Sequence, residues 1–166
     1  MTLHIIATGG TFDKHYDELA GKLTFASSHL PAVIARARLT VPHALEELPL
    51  LDSLEMQDID RRRVLASCER ADANAIVIIH GTDTMQDTAR LLGAAQLAKT
   101  VVITGAMIPY EIANSDALFN FGFASGVAQI LPHGVYVAMN GRIFDWDQVR
   151  KNRSAGVFET PDTPEN

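Results

Sequence analysis

Two threonines, an aspartate and a lysine stand where apolar runs give way to turns and polar residues. They are Thr11 in Thr8-Gly9-Gly10-Thr11, Thr82 and Asp83 in His80-Gly81-Thr82-Asp83-Thr84-Met85, and Lys151 in Gln148-Val149-Arg150-Lys151-Asn152. A threonine hydroxyl attacks a carbonyl only when a base takes its proton, and acyl transfer also needs N–H donors where the oxyanion develops. A lysine partly desolvated among hydroxyls can supply such a base, with a neighbouring carboxylate to orient it. Either threonine is a candidate for the attacking group. Glycine in the turns lets the backbone fold back sharply and brings amide N–H groups close to a ligand.

These segments are far apart in sequence, so the fold must gather them. Residues 3–8, 75–79, 100–104 and 135–139 are short apolar runs rich in β-branched side chains, and their unbroken apolar character predicts strands buried on both faces of a parallel sheet. Apolar stripes of helical spacing separate them over 58–71, 84–98 and 115–131, the last with Ser115-Asp116 as its N-cap and Pro132 with Gly134 as its stop. Alternating strands and helices call for right-handed crossovers. The expected fold is a doubly wound α/β domain, Rossmann-like or flavodoxin-like, with a mainly parallel sheet flanked by helices. Ligands in such folds sit at the carboxyl ends of the strands. That is where Thr11, Thr82, Thr104-Gly105-Ala106-Met107 and Asn140-Gly141-Arg142 fall.

Composition narrows the chemistry. A chain of 166 residues with 47% hydrophobic and 20% charged residues suits one globular domain. Its formal charge of −6 argues against nucleic acid as a partner, which calls for a clustered basic face. Arg61-Arg62-Arg63 reads as a solvated helix face. The single cysteine, Cys68, forms no intrachain disulfide and reads as a buried structural thiol, so no Cys-based metal site is expected. No apolar run approaches the roughly 18 residues that span a bilayer, and no basic leader opens the chain, so no membrane association and a cytoplasmic location are expected. Phosphate-loop, dinucleotide and G-x-S-x-G signatures are absent. His80 reads as a packed, hydrogen-bonded structural histidine.

Taken together and in this order, Thr8-Gly9-Gly10-Thr11, His80-Gly81-Thr82-Asp83-Thr84-Met85 and Thr104-Gly105-Ala106-Met107 resemble the bacterial-type asparaginase/glutaminase family. The resemblance runs from the first strand to about Phe158. It is strongest to the short, single-domain asparaginases, which share the Thr11-Phe12-Asp13-Lys14-His15-Tyr16 type of loop and the Met139-Asn140-Gly141-Arg142 ending. It implies a catalytic domain over 1–158, like the N-terminal domain of long asparaginases, and a flexible tail over 159–166. The implied reaction is hydrolysis of L-asparagine to L-aspartate and ammonia through a threonine acyl-enzyme, with no cofactor and no metal.

Carried over by residue, the resemblance makes Thr11 the nucleophile and Tyr16 the phenol of a mobile loop that closes over the substrate. Thr82, Lys151 and Asp83 form the second cluster: lysine and threonine activate the attacking group, and the aspartate holds the substrate's α-ammonium. Backbone N–H groups at Gly10 and Thr82 serve the oxyanion. Ser53 binds the α-carboxylate, and Ala106 lines the pocket and offers its carbonyl to the leaving amide. Leu54 stands where long extracellular members often have glutamine, and those members draw an acidic amine ligand from a partner's C-terminal domain. Both losses are expected to raise KM more than they lower kcat. A small amino-acid amide is the expected partner, together with a second copy in a homodimer or dimer of dimers anchored by Phe144, Trp146 and Phe158. Competing functions are a non-catalytic small amino-acid-binding module, a glutaminase, and the amidase part of a tRNA-dependent amidotransferase.

Overall fold

The computed structural model describes residues 1–161. Its frame is a six-stranded sheet. β1 (Leu3–Gly9) leads through a single 3-10 turn at Thr11–Asp13 into a small hairpin, β2 (His15–Asp17) and β3 (Lys22–Thr24). Then come α1 (Leu30–Ala37), β4 (His43–Leu51), α2 (Asp58–Arg70), β5 (Ala75–Ile79), α3 (Met85–Ala94), β6 (Thr100–Thr104), α4 (Ala117–Ile130) and β7 (Gly134–Met139). β8 (Arg142–Asp145) follows, and a second hairpin, β9 (Arg150–Asn152) and β10 (Val157–Glu159), ends the described chain. The sheet order is β4-β1-β5-β6-β7-β8. All neighbours are parallel except β7 and β8. The order reverses between β1 and β5, and such a switch point opens a crevice at the carboxyl ends of the two strands.

Two cores lie on opposite faces, as strand alternation requires. Leu3, Ile5 and Ala7 of β1 join Val77, Ile79 and Val102 under α1 and α4, with Phe12 and Phe121 fully buried there. Ile6, Ile76, Ile78, Val101 and Ile103 point the other way, toward α2 and α3, where Val64, Cys68, Met85 and Leu92 meet them. Every residue of β5 and β6 is buried. Cys68 is buried as expected, and burial pushes its thiol up to about 12, which keeps it protonated and inert.

Several expectations need correction. α3 stops at Ala94 rather than 98, because Gln96 turns left-handed at φ 50° just beyond it. The third helix begins at Ala117, and Ser115 Oγ accepts the Ala117 N–H at its start. α1, β4 and both hairpins were not anticipated. β4 is an edge strand that is largely exposed and carries Pro49, a proline position tolerated at edges, so it lacks a buried strand's apolar signature. Phe144 and Phe158 are buried within the chain, and Trp146 packs against the same core. Phe144 pairs with Val137 of β7 and Trp146 lies against Gly93 of α3, and burial within the chain leaves Phe144 and Phe158 no face to anchor a second subunit. Glu159, where the expected tail begins, closes β10 and is buried against Arg150 and Asn152; residues 162–166 of that tail lie outside the described residues.

Candidate active site

Four loops converge at the switch point because glycine lets their backbones touch. Gly9 and Gly10 have positive φ of 99° and 71°, conformations that side chains with a Cβ resist. A Cβ on Gly10 would lie 2.3 Å from the Gly81 Cα, and one on Gly81 would lie 2.5 Å from the Ser53 Cβ. A Cβ on Gly105 would lie 2.3 Å from the His80 carbonyl oxygen. The loops after β1, β4, β5 and β6 are thus stacked backbone to backbone. Thr11, Ser53, Thr82 and Ala106 all fall on this stack; Gly81 and Gly105 are needed for closeness, Gly9 and Gly10 for closeness and for their positive φ as well.

On the β5 side the geometry is tight. Lys151 arrives on β9, with its backbone N–H donating to Gln86 Oε1 at 3.1 Å. Its ammonium donates to Thr82 Oγ1 at 2.8 Å and to Asp83 Oδ1 at 2.9 Å, and its side chain is only 9% exposed. Sixty-nine residues separate lysine and threonine, so their meeting is wholly tertiary. The Thr82 hydroxyl accepts from the lysine, which leaves its own proton free to donate. Arg153 lies 3.8 Å from the same Asp83 oxygen on the solvent side.

His80 sits beneath the turn, fully buried, as the structural reading of it required. Nδ1–H donates to the Gly81 carbonyl at 2.8 Å and Nε2 accepts from the Thr88 hydroxyl at 2.8 Å. Burial, helped by the charge of Arg61, pulls its pKa down to about 4 against the Gly81 hydrogen bond. A neutral ring with both nitrogens engaged shapes the turn and carries no proton to substrate.

Ser53 is buried, and its Oγ accepts the Thr84 N–H at 3.3 Å, so the hydroxyl proton can face an anion. Asp52 beside it pairs with Lys14 from the loop after Thr11. Partial burial raises the Asp52 carboxyl, but hydrogen bonds from Lys14 and the Leu54 N–H, with the charges of Lys14 and Lys151, bring it below its ordinary value. Ala106 is buried; Asp116 fixes its loop by accepting the Met107 and Ile108 N–H groups, and Asn120 Nδ2 donates to the Gly105 carbonyl at 3.0 Å.

The β1 side is looser. Thr11 is half-buried in the 3-10 turn. Tyr16 lies on β2 with its side chain 59% exposed, and its backbone N–H donates to the Glu111 carboxylate. The structure brings together Thr11, Gly10, Ser53, Thr82, Asp83, Lys151 and Ala106 on one loop stack, and leaves the Tyr16 ring in solvent. Asp13 anchors the base of the hairpin: its Oδ1 accepts the Ser28 hydroxyl at 2.9 Å and the His29 N–H at 2.8 Å. Burial pushes its pKa up to about 6, against those two hydrogen bonds.

Sequence reasoning missed Arg61, Lys14, Asp52 and Asp116. Arg61 was assigned to a solvated face, yet it is half-buried and points into the site's supporting turn. Asp116 appeared only as part of the Ser115-Asp116 helix start, and Lys14 only as a member of the loop after Thr11. Among the described residues no group of three or more His, Cys, Asp or Glu could hold a metal ion, and no helix is long and apolar enough to cross a membrane.

A doubly wound α/β domain with a threonine–lysine–aspartate cluster at its switch point is the class that fold and site define. A model of the family described as Asparaginase, N-terminal, matches residues 2–165, and the chain belongs to that family. L-asparaginase 1 of Escherichia coli K12 is 29% identical over 175 residues, covering 98% of this chain and 52% of that protein. A glutaminase-asparaginase of Pseudomonas fluorescens is 33% identical over 106 residues, covering 60% of this chain and 29% of its own length. The solved thermostable L-asparaginase of Thermococcus kodakarensis superposes with a TM-score of 0.87 at 29% identity, over 99% of this chain and 52% of its own. The chain therefore spans about half the length of relatives it matches along nearly its whole length.

Proposed function

We propose that this domain hydrolyses L-asparagine to L-aspartate and ammonia, with Thr11 as the nucleophile. The observation that carries the reading is the Lys151 ammonium held at 2.8 Å from the Thr82 hydroxyl and 2.9 Å from Asp83, on a turn whose glycine touches the one beside Thr11.

Thr11 Oγ attacks the side-chain amide carbon, and its proton passes through the Thr82 hydroxyl to Lys151 in its neutral amine form, or is relayed by the closed Tyr16 phenol to the departing nitrogen. The carbonyl oxygen becomes an oxyanion facing the N–H groups of the glycine turns. Collapse breaks the C–N bond as the nitrogen takes up a proton, so ammonia departs and an ester to Thr11 remains. Water attacks that ester, its proton passing through the Thr82 hydroxyl to Lys151 in its neutral amine form, and that proton returns to Thr11 Oγ as the ester C–O bond breaks. Aspartate leaves and the Thr11 hydroxyl is restored. Ser53 holds the α-carboxylate, Asp83 the α-ammonium, and the Ala106 carbonyl the amide N–H. No step needs a cofactor.

Glutamine is the second candidate substrate. The relative named glutaminase-asparaginase favours keeping it, and one methylene of pocket depth is worth only ~1–3 kcal/mol. Ammonia release from L-Asn and L-Gln, assayed side by side with purified protein, tests both. No release from either would leave the amino-acid-binding module, which calorimetry with L-aspartate would detect. A homodimer or dimer of dimers is our reading of the assembly, since Tyr16, Leu19 and Leu54 are exposed apolar or aromatic side chains on the loops at the site. Light scattering at assay concentration tests it, and a fully active monomer would refute it.

A further inference from the structure

We infer that Arg61 is a positioning residue for the substrate's α-carboxylate, acting through Thr84 on Ser53; its effect on substrate rests on the function proposed above. Arg61 leaves the first turn of α2 and reaches back over the loop that follows β4. One Nη donates to the Met56 carbonyl at 3.0 Å and the other to Thr84 Oγ1 at 3.1 Å. The Thr84 hydroxyl, accepting from arginine, donates its own proton to the Ser53 carbonyl at 2.8 Å, while the Thr84 N–H donates to Ser53 Oγ at 3.3 Å. Ser53 in turn accepts the Met56 N–H at 3.3 Å.

The guanidinium thus closes a ring of hydrogen bonds around residues 53–56 and ties it to the turn bearing Thr82 and Asp83. Two consequences follow from the donor and acceptor roles. Ser53 Oγ has one lone pair taken by a backbone N–H, which leaves its proton free to donate to a ligand. The arginine also brings a fixed positive charge onto the Thr84 hydroxyl that bonds Ser53, and a positive charge nearby favours a carboxylate at that serine. Arg61 Nε is buried without a hydrogen-bond partner among the described residues. An unpaired buried donor costs stability, so the side chain is held for what its two Nη groups reach. A planar fork suits two acceptors on different segments, whereas a lysine ammonium on a flexible stem holds them less rigidly.

Arg61→Met and Arg61→Lys are compared with the unaltered protein in two measurements. Amide exchange should accelerate at least about tenfold at Met56 and Thr84 in Arg61→Met, with β5 and β6 unchanged, and Arg61→Lys should fall between. KM for L-asparagine should rise about tenfold in Arg61→Met while kcat stays within about threefold, again with partial recovery in Arg61→Lys. Unchanged exchange at both amides overturns the brace, whatever the activity. Faster exchange with KM unchanged overturns the link to substrate, as does a fall in kcat alone. Should the unaltered protein release no ammonia, the function reading fails separately and exchange alone decides the brace. If Arg61→Met does not fold, Arg61→Lys and Thr84→Val, which removes the hydroxyl between arginine and serine, carry the same comparison.

Discussion

The two sides of the crevice are built to different tolerances. Around Thr82 the turn rests on a neutral buried histidine, is clamped by Arg61 through Thr84, and receives a lysine whose side chain is 9% exposed. Around Thr11 the chain passes at once into a hairpin with Tyr16 and Leu19 in solvent, held by the Lys14–Asp52 pair, the Tyr16–Glu111 contact and Asp13 at its base. A site that must admit substrate and then exclude water needs one such rigid wall and one wall of few contacts, because local opening draws on the least stable elements. On the function proposed above, the β5 side would be the preorganised chemistry, and the β1 side would carry the nucleophile beside a cover.

That contrast can be broken most directly at the chemistry. Thr11→Ala and Lys151→Arg should each lower kcat by about a thousandfold or more while circular dichroism shows the fold intact, since little buried area is lost and guanidinium does not deprotonate at accessible pH. Near-normal turnover with arginine would reduce Lys151 to a positive charge holding the site. A glycine pair separates the walls by stability. Gly10→Ala, whose Cβ would meet Gly81 at 2.3 Å with φ at 71°, should cost about 3 kcal/mol or more in urea unfolding. Gly21→Ala, at φ 63° in the hairpin turn with open space around it, should cost only about 1 kcal/mol.

Protons sharpen the comparison further, because each wall buries a group whose pKa is moved a long way, in opposite directions. Asp13, raised to about 6 and facing Ser28, His29 and Glu47, stabilises the fold fully below its ordinary value near 4 and loses that contribution as pH rises through 6. His80, lowered to about 4 and facing Arg61 and Asp87, stabilises fully above 6.5 and loses that contribution as pH falls through 4. The slopes oppose each other, each worth up to roughly 3 kcal/mol across the window, so the unaltered protein should show a shallow profile. Asp13→Asn, which still accepts from Ser28 and His29, should leave stability rising with pH from 4.5 to 6.5. A profile as shallow as before would mean that Asp13 does not titrate there. The smallest effect is expected at Tyr16→Phe: kcat lowered about tenfold with Tm unchanged, because the ring is exposed and the phenol acts only on closure. Full activity would make Tyr16 a rim aromatic.

The four central strands, the two-sided burial and the glycine turns were legible in the sequence, because a buried parallel strand leaves an unbroken apolar run and a tight turn leaves glycine. Thr11, Thr82, Asp83 and Lys151 could be singled out by residue type and position, whereas Ser53 and Ala106 came only with the family resemblance. Their mutual geometry could not. Patterning records how buried a stretch is, and says nothing of which distant group it meets. β4 is strand without the pattern, since its edge position and exposed faces remove the constraint. Phe144, Trp146 and Phe158 look equally suited to a subunit contact or a core, and only packing assigned them to the core. Arg61 stands in a run of three arginines with nothing to distinguish it, and tertiary structure alone aimed it at Met56 and Thr84. The residue types follow from local chemistry; the partners, 69 residues apart for Lys151 and Thr82, follow from how the sheet stacks its loops.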